Sequence, residues 1–196
     1  MEIAPQTRET ILKAALQVFT SRGFAGASMR EIAELSGVTK PTIYYYFANK
    51  EELYRYLVRT ILDDFNDKVV AVASGTGAPG RKLLDVARLH MNSCQEFPDY
   101  IKLFIMAIYR LDSYAPPTDI AQYGKRGIDS IAAIVREGID SGAFREVDPV
   151  KATLHLLGAL HMQELLVMKR HHDYLTLPAA TPEELIGLFL EGIARR

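Results

Sequence analysis

A single cysteine, Cys94, stands in the 196 residues, which excludes an internal disulfide framework. Tryptophan is absent. No uninterrupted apolar run is long enough to span a bilayer: LHLLGALHMQELLVM, from Leu154 to Met168, is broken by His155, His161, Gln163 and Glu164. The N-terminal MEIAPQTRET lacks the basic-then-apolar pattern of a secretory signal, so a cytoplasmic location and no membrane partner are expected. Strand-like alternation, internal repeats and low-complexity tracts are missing too. So are the usual marks of an enzyme. The glycine-rich SGTGAPG, Ser74 to Gly80, has neither the lysine nor the flanking strand of a phosphate loop, and no nucleophile motif occurs. No catalytic residue and no cofactor are therefore expected. A net charge of −1 gives no global attraction to nucleic acid. Up to Thr60, however, eight basic residues face six acidic ones, leaving the remainder at −3.

What is present is helical periodicity. With 48% hydrophobic and 24% charged residues and a mean hydropathy of +0.00, the composition is that of a globular protein. Ile11, Leu12, Ala15, Leu16 and Phe19 recur at helical spacing from Thr7 to Arg22, with Gly23 as a stop. Ser28 and Glu31 predict a capped second helix carrying Ile32, Ala33 and Leu35. After the turn Ser36-Gly37-Val38, Thr39 or Lys40 starts a third helix to about Phe47, with Pro41 tolerated in its first turn. Asn49 and Glu52 cap a long fourth helix through Leu53, Leu57, Ile61 and Phe65. SGTGAPG reads as a linker. Further helices are predicted over Leu83 to Phe97, Tyr100 to Leu111, Asp119 to Gly142, Pro149 to Arg170 and Pro182 to Ala194. The fold class is all-α.

The third helix holds three consecutive tyrosines in VTKPTIYYYFANKEEL, Val38 to Leu53. At about 100° per residue, with Ile43 facing the core, Thr39 and Phe47 lie near its direction and Tyr46 on its flank. Pro41, Thr42 and Tyr45 point away, and Tyr44 sits on the outer shoulder. Met29 to Tyr46 fits a helix-turn-helix, with small Ala33 at the helix contact, Gly37 in the turn and Ile32, Leu35, Val38 and Ile43 holding the pair. Outward phenols suit phosphate oxygens, base edges and thymine methyls.

From Arg8 to Leu53, the runs R-x-x-I-L-x-A-A-L-x-x-F, G-F-A-G-A-S-M-R-E-I-A-E-L-S-G-V-T-K-P-T-I-Y-Y-Y-F and N-K-E-E-L strongly resemble the DNA-binding domain of the TetR family of transcriptional repressors. The resemblance covers about a quarter of the chain. It implies a helix-turn-helix DNA-binding domain at residues 1–50, a long linking helix at about 50–73, and an effector-binding and dimerisation domain at 74–196. It further implies a homodimeric repressor, paired through its last two helices and released from a palindromic operator by a small-molecule effector. By position, Thr39, Lys40, Pro41, Thr42, Tyr44 and Tyr45 match the recognition surface and Arg30 a base or phosphate contact. Ser28, Tyr46 and Lys50 match phosphate contacts. Two departures stand out: many relatives have histidine at Tyr45, and Pro41 replaces a frequent glycine.

In the C-terminal part, His90, Cys94, Phe97, Phe104, Tyr109, Tyr123, His161 and Met162 are candidates for lining an effector site, with His90, His161 and Glu164 as polar anchors for a hydrophobic or amphipathic ligand. His90 and Cys94, four apart, share a helical face, but two ligands make no metal site, and none is expected there. His171-His172-Asp173 reads as a solvated helix end. Stripes of Leu154, Leu157, Gly158, His161 and Leu165, then Leu185, Leu188, Phe189, Gly192 and Ile193, suit a dimer interface or the subunit's own core. The competing functions are an all-helical enzyme acting on a small molecule in the C-terminal part, and a regulator controlled by a protein partner.

Overall fold

A computed structural model describes residues 5–168 and 179–193. Among these residues there is no strand, and helices run in the order α1 (Pro5–Gly26), α2 (Met29–Ser36), α3 (Lys40–Tyr46), α4 (Lys50–Ser74), α5 (Pro79–Glu96), α6 (Pro98–Ile108), α7 (Ile120–Asp140), α8 (Pro149–Met168) and α9 (Pro182–Ile193). Contacts group them into two units. The first joins the described residues up to Asp63 with Asp99–Ile120; the second joins Asp64–Pro98 with the described residues from Ala121 onward. His171-His172-Asp173 lies outside the described residues.

In the first unit, α1 buries Ile11, Ala15, Val18 and Phe19, one face of its 3.6-residue period. The chain breaks from the helix at Gly23, where φ is 69° and ψ 173°, a conformation that costs little only without a Cβ. The break frees the Phe24 amide, which donates to Asp112 Oδ2 at 2.6 Å, while Asp112 Oδ1 accepts from Tyr114 N at 3.0 Å. Phe24 also packs with Phe19 and Tyr54, ring centroids 5.1–6.0 Å apart. Burial, then the charge of Asp112, pushes the Tyr54 phenol up to about 12. From α6, Leu103 and Ile105 are buried, and Thr20 Oγ1 donates to Asp99 Oδ1 at 3.3 Å.

The caps of the next three helices fall where the sequence places them. Ser28 Oγ accepts from Glu31 N at 3.1 Å, and the Glu31 carboxylate lies 3.4 Å from Arg22 Nε. Left-handed Gly37 (φ 69°) ends α2, with Val38 N donating to Ala33 O at 3.2 Å. Thr39 caps α3 by accepting from Thr42 N at 3.3 Å. Asn49 Oδ1 accepts from Glu52 N at 2.8 Å, and Glu52 Oε2 from Ala48 N at 2.6 Å. One expected core residue of the helix pair is not there: Leu35 is 48% exposed. A helix of eight residues buries one face, and Met29, Ile32, Ala33 and Ser36 fill it.

In the second unit the C-terminal part of α4 packs with α5, α7, α8 and α9 around Leu83, Val86, Ile134, Val135, Leu156 and Leu160. SGTGAPG is a turn between two helices of this unit, because α4 runs to Ser74 and Pro79 already opens α5. The Lys82 ammonium is nearly buried and satisfied by Glu137 Oε2 at 2.8 Å and Ala73 O at 3.2 Å. The two expected apolar stripes are mixed: Leu185 and Ile193 are core, Leu157 and Phe189 are half-buried against it, and Leu154, Gly158 and Leu188 are exposed. Leu156, Leu160, Leu185, Ile186 and Ile193 face the unit's own core, whereas Val150, Leu154, Gly158 and Met162, at four-residue intervals along α8, lie exposed with Leu188 of α9. A Cβ on Gly158 would meet no other side chain within 4 Å.

Candidate functional site

The seven residues of α3 bury one side chain, Ile43, which is fully enclosed; Phe47, the next residue on that face, closes the helix from below at 1% exposure. Everything else on α3 is thereby turned outward or sideways. Lys40, Pro41, Tyr44 and Tyr45 are exposed and Thr42 is half-buried, with Tyr45 at 72%. Thr39, also exposed, holds its hydroxyl 2.8 Å from that of Thr42. These six side chains form one continuous face with a cation, two phenols, two hydroxyls and a rigid apolar ring. That set can meet phosphates and read base edges in a groove.

The other nucleic-acid candidates divide. Ser28 and Arg30 are exposed, though Ser28 Oγ is occupied as a cap and Arg30 Nε pairs with Glu34 at 2.8 Å, which raises the already high guanidinium pKa. Tyr46 turns its hydroxyl inward, where it is buried without a hydrogen bond, its ring edge-on to Tyr45 at 5.4 Å. Lys50 is committed to the protein itself. Its ammonium donates to Phe24 O at 2.8 Å and Ala27 O at 2.9 Å and lies 4.4 Å from the Phe24 ring centroid, so it ties the end of α1 to the start of α4. One proton remains for a phosphate. Lys50→Met keeps the aliphatic stem and should lower stability by about 1–2 kcal/mol, since both carbonyls lose a charged donor in a half-exposed setting. The check is a lower denaturant midpoint at constant slope. An unchanged midpoint with a weaker salt dependence of DNA affinity would place the ammonium on phosphate instead.

The effector candidates also separate. Phe104 is buried and Tyr109 exposed on or just after α6 in the first unit. Phe97 and Met162 are exposed at 49% and 55%. The side chain of Tyr123 lies outside the described residues. His90 of α5 and His161 of α8 come together, with Glu164 one turn beyond His161. His90 Nδ1 and Glu164 Oε1 are 2.7 Å apart, the two imidazole centroids 6.0 Å, and the Phe65 ring stands edge-on to His90 at 4.6 Å. Burial holds His161 below the ordinary histidine range despite the opposing pull of Glu164. Cys94, one turn after His90, is buried with its thiol on His90 O at 3.4 Å, and burial, then Glu164, pushes that thiol up to about 12. It is a protonated packing residue. The pairing of His90 with Glu164, 74 residues apart, has no signal in a single sequence.

Residues 11–57 match the model of the family described as bacterial regulatory proteins, tetR family. The HTH-type transcriptional regulator RutR of Escherichia coli strain K12 is 32% identical over 144 residues, covering 72% of this chain and 66% of RutR, so the match spans just under two thirds of that relative's length. Among solved structures, the fatty acid degradation regulator FadR of Bacillus halodurans has the same fold, with a TM-score of 0.78 at 22% identity over 97% of each chain. The transcriptional regulator FadR of Bacillus subtilis, solved with stearoyl-CoA, gives a TM-score of 0.74 at 22% identity, covering 93% of this chain and 95% of that one. The matched residues are those that build α1 to the start of α4 and the outward face of α3, and the chain belongs to the TetR family.

Proposed function

We propose that the protein is a sequence-specific DNA-binding transcriptional regulator, a homodimeric repressor that leaves a palindromic operator when its second unit takes up an effector. The observation that carries this is the α3 face, where Lys40, Pro41, Tyr44 and Tyr45 are presented to solvent beside half-buried Thr42, on a helix anchored by Ile43 and Phe47. Dimerisation is supported by the exposed row Val150, Leu154, Gly158 and Met162 with Leu188, an apolar stripe with a bare glycine at its centre that suits close helix packing against a second copy. The effector belongs among α5 and α8, where Phe65 and other apolar groups surround the polar cluster of His90, His161 and Glu164. An apolar body with one polar or charged group fits such surroundings. The stearoyl-CoA bound by the Bacillus subtilis FadR supports an apolar effector for this fold. Residues 1–50 would supply DNA binding and 74–196 effector binding and dimerisation, in a cytoplasmic protein without catalytic turnover.

The test is selection of purified full-length protein on a randomised duplex library at moderate salt. An inverted repeat with half-site centres about 34–36 Å apart, or a multiple, is expected, because two recognition helices must enter major grooves on one side of the duplex. On the enriched site, Thr42→Ala and Tyr44→Ala should each cost about 1–3 kcal/mol and shift preference at particular base positions. Featureless retention, with both variants behaving as the parent, would overturn the reading.

A further inference from the structure

The cluster of His90, His161 and Glu164 offers more than a polar lining. One nitrogen or oxygen donor from each residue lies within 4.8 Å of the other two. His90 is 2% and Glu164 1% exposed, yet His90 Nε2 and Glu164 Oε2 are both buried with no hydrogen bond. A half-turn of the ring would put Cδ2, a carbon, where Nδ1 now meets Glu164 Oε1 and so would lose that contact. A carboxylate and an imidazole with spare lone pairs in an apolar surround carry a desolvation cost that the single 2.7 Å contact between them does not cover. Such groups in a native structure call for an ion or another partner.

We propose that His90, His161 and Glu164 bind one divalent transition-metal ion of the zinc class within the second unit. Two imidazoles and one carboxylate are a donor set that zinc favours when a fourth position is left open, while calcium and magnesium require more oxygen donors than the cluster supplies. Around a tetrahedral ion with bonds of about 2.0–2.1 Å, donors stand roughly 3.3 Å apart. The separations here, from 2.7 Å between His90 Nδ1 and Glu164 Oε1 up to the 4.8 Å bound, bracket that value. Entry of the ion would open the short contact between His90 and Glu164 to that spacing. The fourth position is free for water or for a polar atom of an effector. The ion thus names a chemical class for what the second unit senses, and that regulatory role rests on the DNA-binding reading above; occupancy itself does not.

The experiment uses untagged full-length protein stripped with a chelator. It is titrated with Zn2+ against a chromophoric competitor, and with Co2+ followed by visible absorption. One ion per chain is expected, with visible bands of a four-coordinate cobalt site and a thermal midpoint raised by zinc. Half-buried His161→Ala and the near-isosteric Glu164→Gln should each weaken zinc at least tenfold while still melting cooperatively, and His155→Ala, on the exposed side of α8, should keep the parent affinity. The proposal is overturned by absence of stoichiometric uptake, or by uptake that survives in the His161→Ala, Glu164→Gln double variant. Uptake is read without DNA, so its failure leaves operator binding standing, and a failed operator selection leaves the metal site standing.

Discussion

Phe47→Ala is expected to cost about 3–5 kcal/mol and to abolish sequence-specific DNA binding. The ring is 1% exposed and lies with its centroid 5.4 Å from that of Tyr56 and 6.3 Å from that of Tyr46. The Arg8 guanidinium sits over the same pair, 4.2 Å from the Tyr56 centroid and 6.0 Å from that of Phe47. Its backbone also ends α3, the Phe47 amide donating to Ile43 O at 2.9 Å. A helix of seven residues is far below the length at which helices persist in water unaided, so α3 exists because Ile43 and Phe47 are buried. Removing one of these two anchors leaves a cavity beneath the helix that presents Tyr44 and Tyr45. Phe47→Leu, which refills most of the volume, should cost much less and keep binding. Binding to the selected duplex and a denaturant melt of each variant decide the matter. An alanine variant that keeps both operator affinity and parental stability would show that α3 is held some other way.

Gly138→Ala should destabilise the second unit by about 1–3 kcal/mol, even though alanine is the better helix former by about 1 kcal/mol. A Cβ placed on Gly138 would lie 2.1 Å from Phe144 Cδ2, 2.2 Å from Cε2 and 2.7 Å from Cγ. Nothing there is the loose end of a flexible chain. The Phe144 ring is 6% exposed within the core cluster, and its amide donates to Gly138 O at 2.9 Å, so ring and backbone are fixed to the same turn. Either α7 shifts or the ring leaves its seat. The coupling is testable: Gly138→Ala combined with Phe144→Ala should be more stable than the sum of the single losses predicts, by at least about 1 kcal/mol. Strict additivity would mean that the clash is relieved without moving Phe144.

Features governed by local period and chemistry were legible in the sequence. Ser28, Thr39 and Asn49 cap the helices expected of them, Gly23 and Gly37 break the chain where helices had to stop, and the wheel centred on Ile43 predicted which way Tyr44 and Tyr45 face. Features set by distant partners were not. Leu35 reads as apolar core, but which apolar side of a short helix is covered depends on what packs against it. Lys50 reads as a phosphate contact, but its bonds to two backbone carbonyls leave no trace in the sequence. His90, His161 and Glu164 were each visible as polar groups in apolar helices. Their convergence needs α5 and α8 laid side by side, which no spacing within either helix encodes. The α8 stripe could not be divided between core and surface from its period alone, since both sides of that helix are apolar.

The Asp112 carboxylate that receives the Phe24 amide also sets an order of events in biosynthesis. The first unit is assembled from two separated stretches of chain, and its α1 break is sealed by a residue made long after α4 has begun. On the ribosome, the emerging recognition helix therefore waits for α6 and the loop after it before its unit is complete. Asp112 follows Tyr46 by 66 residues, so at about 5–20 residues per second that interval is roughly 3–13 s. During it the Phe24 amide lacks the Asp112 carboxylate that accepts from it in the finished unit.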